Sequence, residues 1–581
     1  MAKIAYAQMK VEAGHPDINT KRILYLIERA RAGGAQIVIF PELAISGKLL
    51  GDTFKQESFL RECERYGEDI IAASRNLTVV FGNVKLKWEL SEFQVFNSIF
   101  VARDGKRVDS FAKENLSADE RRYFSPPTAM KNSITVPADD EDFKVLPLFD
   151  VDDISLSQFD FGVNFTSEPF SIDKNIADEK FSTEQPIIQV GAVGIQNTGK
   201  TVYAFDGMSA VFNSRGEIVQ LAKPFTETLN FVELDELEKM RAIEVPEESE
   251  PAKIYRALSH GIREFLQHVG LSKVVIGASG GIDSAVSAAL YVKVIGAENV
   301  LLVNMPSQFN SATTKNLSEQ LAKNLGCKYC VVPIQESVDL TVKQLESTPI
   351  TSADGSSEKI TLSGFVRENI QARDRSARIL AALAASIGGG FTCNANKAES
   401  TVGYATLYGD AAGFLSALAD LWKFQVYALA RYLNDEVYGR EVIPQGIIDL
   451  VPSAELSTAQ NVDEGKGDPL KYPYHDYLFR AFVEQNLRPE DILKLYDAGK
   501  LEKTIGCEVG LVDEYFPTAK DFIEDLERWW KQFTGMGVAK RIQSPPILAV
   551  TRCPYGSRLE SQNGRHVTQA YRALRDNLIE K

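Results

Sequence analysis

The sequence has few cysteines, no excess of positive charge and no long apolar run. Six cysteines in 581 residues are too few for a disulfide scaffold, so we expect a reducing, cytoplasmic location. A net charge of −15 argues against nucleic acid as the main partner, because phosphate backbones need a basic surface, although a local pocket can still hold a small anion. We expect no membrane partner, because neither a membrane-length apolar run nor a charged-then-apolar leader is found. The length predicts two or three domains.

A glycine-rich turn stands between an apolar run at 274–276 and a helix-like segment at 285–294. Its residues are Gly277, Ala278, Ser279, Gly280, Gly281, Ile282, Asp283 and Ser284. The free backbone N–H groups of such a turn and of the following helix start favour a bound anion. Ser279 and Ser284 add hydroxyl donors, and Asp283 adds a carboxylate that can hold a cation beside the anion.

Two other interpretations of this turn compete with a phosphate site. The Walker loop requires Gly-Lys-Ser/Thr, and the turn contains no lysine. The hydrolase elbow G-x-S-x-G does match at 277–281, with Ser279 as the nucleophile. It needs a histidine further along the chain, and the sequence offers only His475 and His566, neither in a context typical of a general base. An α/β-hydrolase using Ser279 therefore stays as the alternative of a different class.

The order of predicted elements indicates an α/β protein. After a helix at 254–269, strands and helices alternate from residue 274 to 333, which predicts a parallel sheet with helices on both faces. Ligands of such sheets bind beyond the carboxyl ends of the strands, where the glycine-rich turn falls. We predict a first domain over 1–240, an acidic linker over 241–253 and a second domain over 254–581.

Further motifs follow the turn in a fixed order. They lie at 368–375, 394–399, 403–410, 420–423, 452–456 and 540–546. With the turn, they resemble the Rossmann-like ATP-pyrophosphatase domain of NAD synthetases. The resemblance implies ATP-dependent amidation of deamido-NAD. ATP would adenylate the nicotinate carboxylate and release pyrophosphate, and ammonia would then displace AMP, because a free carboxylate is a poor electrophile.

The resemblance also implies roles for single residues. Asp283 and Glu399 would hold Mg²⁺ and, with Lys423 as a point charge on the phosphates, carry the catalysis. Deamido-NAD would be bound by Asn369, Arg373 and Lys540. The ATP site would comprise Gly277, Ala278, Ser279, Gly280, Gly281, Ile282, Asp283, Ser284, Asn394, Lys423 and Ser453. The family commonly has threonine in place of Asn394, and asparagine can still form a hydrogen bond there.

The first half contains two motifs of nitrilase-like amidases. Residues 40–47 around Glu42 resemble the glutamate motif, and residues 113–116 resemble the lysine motif with Lys113. The resemblance implies an α-β-β-α sandwich, which hydrolyses glutamine to supply ammonia in glutamine-dependent NAD synthetases. That reaction needs a glutamate base, a lysine for the oxyanion and a cysteine nucleophile.

The nucleophile is missing, since no cysteine lies between Cys63 and Cys327. Ser157 is the predicted residue at its position, in a degenerate site with Glu42 and Lys113, and serine is a far weaker acid than cysteine. Cys63 stands among acidic residues that would raise its pKa. We predict a catalytically silent amidase domain and a synthetase supplied with free ammonia or by an external ammonia supplier. A glutamine-dependent enzyme with an atypical, active amidase domain is the alternative, and the resemblance also implies a homo-oligomer.

Overall fold

The structure, a computed structural model, describes residues 2–89, 92–139, 141–150, 158–181, 184–554 and 567–580. The chain divides into two compact units, Met1–Glu248 and Ser249–Lys581. Both combine helices and sheets, and the α/β class predicted from the sequence is confirmed. Within the described ranges, no helix combines the length and apolar character needed to cross a membrane.

In the described residues, the first unit contains two sheets of six strands each and a separate antiparallel pair of strands. Its strands are β1 Lys3–Gln8, β2 Ile37–Ile39, β3 Thr78–Glu89, β4 Glu92–Arg103, β5 Lys106–Ala112, β6 Ile134–Pro137, β7 Asp142–Leu148, β8 Phe161–Thr166, β9 Ile187–Gly191, β10 Val193–Thr198, β11 Thr201–Asp206, β12 Ala210–Phe212, β13 Ile218–Leu221 and β14 Thr228–Glu233. The sheets have the orders β14-β1-β2-β3-β4-β5 and β13-β12-β9-β8-β7-β6, and the separate pair is β10 with β11. Two helices, α1 Pro16–Ala32 and α2 Glu57–Ala72, precede β2 and β3.

The two sheets pack face to face through alternating apolar side chains. On β1, Ile4 and Tyr6 join the core between the sheets, whereas Ala5 and Ala7 join the core under α1 and α2, as the period of two in a strand requires. The outer face of the second sheet packs against a loop that includes a 3₁₀ turn at Ile176–Asp178. Strand β2 belongs to the first of the two packed sheets and β8 to the second, so the residues that follow these strands belong to the same sandwich.

The second unit is built on a parallel sheet of order β17-β16-β15-β20. Its strands are β15 Val274–Gly277, β16 Val300–Asn304, β17 Lys328–Val331, β18 Pro349–Thr351, β19 Ser357–Lys359, β20 Gly390–Phe391 and β21 Ile547–Ala549. Its helices are α3 Glu250–His268, α4 Ile282–Ile295, α5 Ala312–Leu325, α6 Gln335–Ser347, α7 Gly364–Arg373, α8 Ala381–Ile387, α9 Lys397–Val402, α10 Lys423–Tyr432, α11 Gln445–Asp449, α12 Tyr472–Val483, α13 Pro489–Asp497, α14 Leu501–Ile505, α15 Leu511–Tyr515, α16 Ala519–Thr534, α17 Met536–Gln543 and α18 Gln569–Glu580.

The start of one helix in the second unit differs from the sequence prediction. Helix α3 begins at Glu250, so the last residues of the predicted linker 241–253 are helical. The reason is Pro251, which suits the first turn of a helix, where its missing N–H costs nothing. The helix that starts with α7 continues into α8 through a π-helical stretch, Asp374–Leu380.

Candidate active site

A cavity of about 620 Å³ opens at the carboxyl ends of β15, β16 and β20 in the second unit. Gly277 is the last residue of β15, Asn304 is the last residue of β16, and Thr392 follows β20. All three line the cavity. This is the edge of a parallel sheet at which ligands bind. Its size is that of a small-molecule site.

The glycine-rich turn forms one wall of this cavity. Gly281 is the residue before α4, and its N–H points to the Ser279 hydroxyl at 3.2 Å. The hydroxyls of Ser279 and Ser284 lie 3.2 Å apart. Gly280 has φ +88°, and a Cβ at this position would be 2.4 Å from the carbonyl oxygen of Thr314 in α5. The turn therefore packs directly on α5, and two hydroxyls and a helix N-terminus face one point, as anion binding requires.

Three charged side chains converge next to the turn. The Nζ of Lys423 lies 2.5 Å from Oδ2 of Asp283 and 3.8 Å from Oε1 of Glu399. The lysine side chain is 3% exposed, and its ammonium also lies over the ring of Tyr472, 4.8 Å from the centroid. The Tyr472 hydroxyl donates to Oε1 of Glu399 at 3.0 Å. Residues 140 positions apart in the chain thus form one cluster.

The electrostatics of this cluster favour a cation. The pKa of Glu399 is raised to about 8, because burial and the Asp283 carboxylate raise it more than Lys423 lowers it. Burial alone would lower the pKa of Lys423, but the carboxylates of Asp283 and Glu399 outweigh it and raise the pKa. Two carboxylates therefore share a single ammonium. Carboxylate oxygens are the ligands that Mg²⁺ prefers, so the residues present fit a divalent cation that would relieve this repulsion.

Most of the other predicted site residues also line the cavity. Besides the turn, it is lined by Asn394, Ser453, Asn369 and Lys540. Asn394 donates to the Gly277 carbonyl at 3.4 Å, which ties it to the turn. Lys540 donates to the Gly403 carbonyl at 2.7 Å.

Two predicted residues lie beside the cavity wall. The structure puts Gly280 behind the turn, against α5, as described above. Arg373 lies on α7, and its Nε donates to the carbonyl of Leu407 at 3.0 Å. Neither belongs to the lining that the described residues form.

Several polar residues of the site were assigned no role from the sequence. Glu455, 2% exposed and with φ +46°, accepts hydrogen bonds from Thr314 Oγ1 at 2.7 Å and from the N–H of Ser311, at the start of α5. Asp468 accepts from the Tyr404 hydroxyl at 3.1 Å, and burial raises its pKa to about 6. Glu455 stands in the motif at 452–456, but neither it nor Asp468 was assigned a role, because only the three-dimensional fold shows what their carboxylates contact.

Among the described residues, His475 is not available to Ser279 as the general base that the hydrolase alternative needs. Both ring nitrogens of the buried His475 are engaged, since Nδ1 accepts from the N–H of Lys471 at 2.8 Å and Nε2 lies 2.9 Å from Asp525. Its ring packs between Phe479 and Trp529. The other candidate, His566, lies outside the described residues. A serine nucleophile needs a histidine within hydrogen-bond reach.

A second cluster of charges lies in the first unit, where the sequence predicts a degenerate amidase site. The carboxylate of Glu42, which follows β2, accepts from Asn97 Nδ2 at 2.6 Å and from Lys113 Nζ at 3.3 Å through Oε1. Its Oε2 accepts from Lys48 Nζ at 3.0 Å. Lys113 also donates to Glu120 at 2.7 Å. Glu42 and Lys113 are thus brought together as predicted, and Lys48 is an additional partner that the motif did not reveal.

The two lysines determine the chemistry of Glu42. Its side chain is 1% exposed, and burial by itself would raise its pKa. The ammonium groups of Lys113 and Lys48 outweigh burial and lower the pKa to about 2. Such a carboxylate is a weak base, because taking up a proton would remove the negative charge that pairs with both lysines.

The sequence predicts Ser157 at the position of the missing nucleophile. Ser157, the predicted residue, lies outside the described residues. Ser167, directly after β8, is buried and donates through its hydroxyl to the backbone carbonyl of Glu42 at 3.2 Å. Its place at the carboxyl end of a buried strand was a signal that the motif comparison missed. Cys63 is fully buried in the core under α2, and burial, with the nearby Glu62 and Glu64, raises its pKa to about 12.

The fold and the cavity define an α/β protein with a small-molecule cavity at the carboxyl edge of a parallel sheet. The family model described as NAD synthase matches residues 254–506. A glutamine-dependent NAD(+) synthetase of Aquifex aeolicus (strain VF5) is 31% identical, and the alignment covers 85% of this chain and 91% of that protein. The structure of a glutamine-dependent NAD+ synthetase from Acinetobacter baumannii in complex with ADP superposes with a TM-score of 0.68 at 25% identity, covering 98% of this chain and 100% of that one.

A crystal structure of a glutamine-dependent NAD(+) synthetase from Cytophaga hutchinsonii, 17% identical, shares the fold with a TM-score of 0.76 over 99% of both chains. The chain belongs to the family of two-domain glutamine-dependent NAD(+) synthetases. It is therefore a ligase of NAD biosynthesis that uses ATP as co-substrate. The family resemblance deduced from the sequence motifs is confirmed.

Proposed function

We propose that this chain makes NAD from deamido-NAD and ATP with ammonia, and that its amidase unit does not hydrolyse glutamine. The observation that carries the proposal is the state of Glu42, held between Lys48 and Lys113 in a unit whose sequence has no cysteine between positions 63 and 327. The relatives are glutamine-dependent by name. This chain keeps their architecture and departs from their nitrogen source.

The cavity of the second unit carries the ligase chemistry in this proposal. The turn from Gly277 to Ser284 binds the phosphates of ATP through backbone N–H groups and the two serine hydroxyls, and Asn394 and Ser453 make further contacts with ATP. Asp283 and Glu399 would hold Mg²⁺, and the ion would supply positive charge for the departing pyrophosphate. Lys423 adds a second positive charge at the same place.

Deamido-NAD occupies the other end of the cavity. Asn369 and Lys540, which line it, bind this substrate, together with Arg373. With both nucleotides held, the nicotinate carboxylate attacks the α-phosphorus of ATP and pyrophosphate leaves. Ammonia then attacks the acyl carbon of the adenylate and releases AMP. Holding the two reactants in one cavity converts a bimolecular step into an effectively unimolecular one.

The amidase unit lacks two of the requirements for glutamine hydrolysis. A thiolate nucleophile is missing, and a hydroxyl at Ser157 or Ser167 would need a strong base to ionise. Glu42 is a weak base because its pKa is about 2. Free ammonia, or ammonia released by another protein, therefore supplies the nitrogen.

The test is NAD formation by the purified full chain with deamido-NAD, ATP and MgCl₂, supplied with either ammonium chloride or glutamine. We expect NAD, AMP and pyrophosphate with ammonium, and a rate with glutamine at the level of the ammonia contaminating it. A rate with glutamine close to that with ammonium would instead support an atypical, active amidase unit. No ATP consumption with either donor would refute the ligase assignment of this cavity.

Matched lysine variants check the site. Lys423→Met should reduce pyrophosphate release roughly 100-fold or more, because one preorganised charge contributes about that much to a transition state. Lys466→Met removes an exposed lysine that pairs with Glu464 on the surface and should leave the rate unchanged. Equal rates for the two variants would argue against a role of Lys423 in the reaction.

A further inference from the structure

Asn396 lies between the two carboxylates that are proposed to hold Mg²⁺. It precedes α9 and is fully buried. Its Oδ1 accepts from the N–H of Glu399 at 3.1 Å, and its own N–H donates to Oε2 of Glu399 at 3.2 Å. Its Nδ2 donates to Oδ1 of Asp283 at 3.2 Å. One side chain thus contacts both acidic residues, which stand in different helices.

We infer that Asn396 is a positioning residue that fixes the separation of Asp283 and Glu399 for a divalent cation. The inference rests on the proposed function, since it concerns the same site. Each carboxylate has one oxygen bonded to Asn396, and its other oxygen points to Lys423 or Tyr472. Groups that orient metal ligands through hydrogen bonds set metal affinity and activity although they do not touch the metal.

Capping of α9 alone does not require an asparagine. Serine and aspartate cap helices about as well as asparagine does, because only an acceptor oxygen is needed. Position 396 also needs an N–H donor that reaches Asp283. Among side chains of this length, only the amide of asparagine supplies both the capping oxygen and that N–H group. Helix α16 offers a comparison, because Thr518 and Asp521 form a similar capping box there.

The experiment measures cation binding to the full chain, with Mn²⁺ as the probe because it shares the oxygen ligands of Mg²⁺. Free Mn²⁺ is followed by electron paramagnetic resonance in the presence of ATP and without deamido-NAD. Asn396→Ser keeps a capping oxygen and loses the donor to Asp283. We expect its half-saturating Mn²⁺ concentration to rise roughly 10-fold or more, and the Mg²⁺ requirement for NAD formation to rise in parallel, with a melting temperature close to that of the parent.

Thr518→Ala removes a capping box that has no role at the cation site, and should bind Mn²⁺ like the parent. Asn396→Asp is the second variant, used if the serine variant does not fold. It keeps the length and the cap but turns the donor toward Asp283 into a repelling carboxylate, so turnover at saturating Mg²⁺ should fall. Parent-like Mn²⁺ binding in Asn396→Ser, or parent-like turnover in Asn396→Asp, would overturn the inference. A parent that binds Mn²⁺ and ATP but forms no NAD would refute the proposed function instead.

Discussion

Glu42 has four polar neighbours and almost no contact with water. Besides Asn97, Lys48 and Lys113, its backbone carbonyl accepts from Ser167. The folded state keeps this carboxylate ionised down to a pH of about 2, whereas an ordinary glutamate, as in the unfolded chain, takes up its proton near pH 4.5. Since the folded pKa is the lower one, ionisation of Glu42 stabilises the fold above pH 4.5. The contribution is lost as the pH falls from about 4.5 through about 2.

This shift predicts how the free energy of unfolding changes below pH 5. Between pH 5 and pH 2 the parent should lose on the order of 3 kcal/mol more unfolding free energy than Glu42→Gln, because a pKa difference of one unit corresponds to about 1.4 kcal/mol. Urea unfolding at several pH values measures this difference. The control is Glu57→Gln, which alters an exposed ion pair with Arg61 on α2 and should keep the parent's slope. Equal slopes for the parent and Glu42→Gln would contradict the prediction.

At the level of single residues, sequence motifs named the charged residues that the structure brings together. Glu42, Lys113, Asp283, Glu399 and Lys423 stand in recognisable motifs, and the structure groups them into two clusters. Sequence reasoning missed the residues that act on them through long-range contacts. Lys48 lies outside the motifs, whereas Asn396 and Glu455 lie within those at 394–399 and 452–456 but were assigned no role, because only the fold shows which partners they contact.

At the scale of elements, the phosphate turn depends on how α5 packs against it. The backbone oxygen of Thr314 blocks the space next to Gly280, and Glu455 holds the Thr314 side chain in place. Gly280→Ala should therefore displace the turn, because its Cβ would lie 2.4 Å from the Thr314 carbonyl oxygen. A displacement that costs about 1.4 kcal/mol of binding free energy would weaken ATP binding about tenfold. Isothermal titration calorimetry of ATP with the full chain measures it.

Gly326, at the end of α5, is the matched control for this change. It also has positive φ, +69°, but a Cβ there would meet nothing within 4 Å. Gly326→Ala should lower stability slightly through its backbone conformation and leave ATP binding intact. If both alanine variants bound ATP as tightly as the parent, the close packing of the turn on α5 would have no role in binding.

The elements that carry the turn were predictable from the sequence. The predicted strand at 274–276 lies within β15, and the predicted helix at 285–294 lies within α4. The π-helical stretch Asp374–Leu380 was not predictable, because a local change in helical pitch leaves no mark on the apolar pattern. It carries Arg375, whose Nε donates to the Met305 carbonyl at 3.1 Å and which lines the cavity.

At the scale of the whole molecule, the chain combines two units that differ in the catalytic side chains they contain. The second unit keeps the turn, the paired carboxylates and the lysine around a cavity of about 620 Å³. In the first unit, a cavity of about 10 Å³ is lined by Thr166 and Ser167 but not by Glu42 or Lys113, and it has room for about one water molecule. The absence of a cysteine between positions 63 and 327 was readable from the sequence, whereas the pairing of Glu42 with Lys48 was not.

The two sites should therefore respond differently to substitution when ammonium is the nitrogen source. We expect Glu42→Gln in the full chain to form NAD from ammonium within about twofold of the parent rate, because a silent amidase site would not affect the barrier of the ligase reaction. In the working site, by contrast, loss of one charge should lower the rate about 100-fold. Lys48→Met serves as a second substitution in the same cluster, and circular dichroism confirms that both variants fold. A glutamine-dependent rate in the parent that disappears in Glu42→Gln, while the ammonium rate persists, would mean that this glutamate still serves as a base and that an unrecognised nucleophile stands beside it.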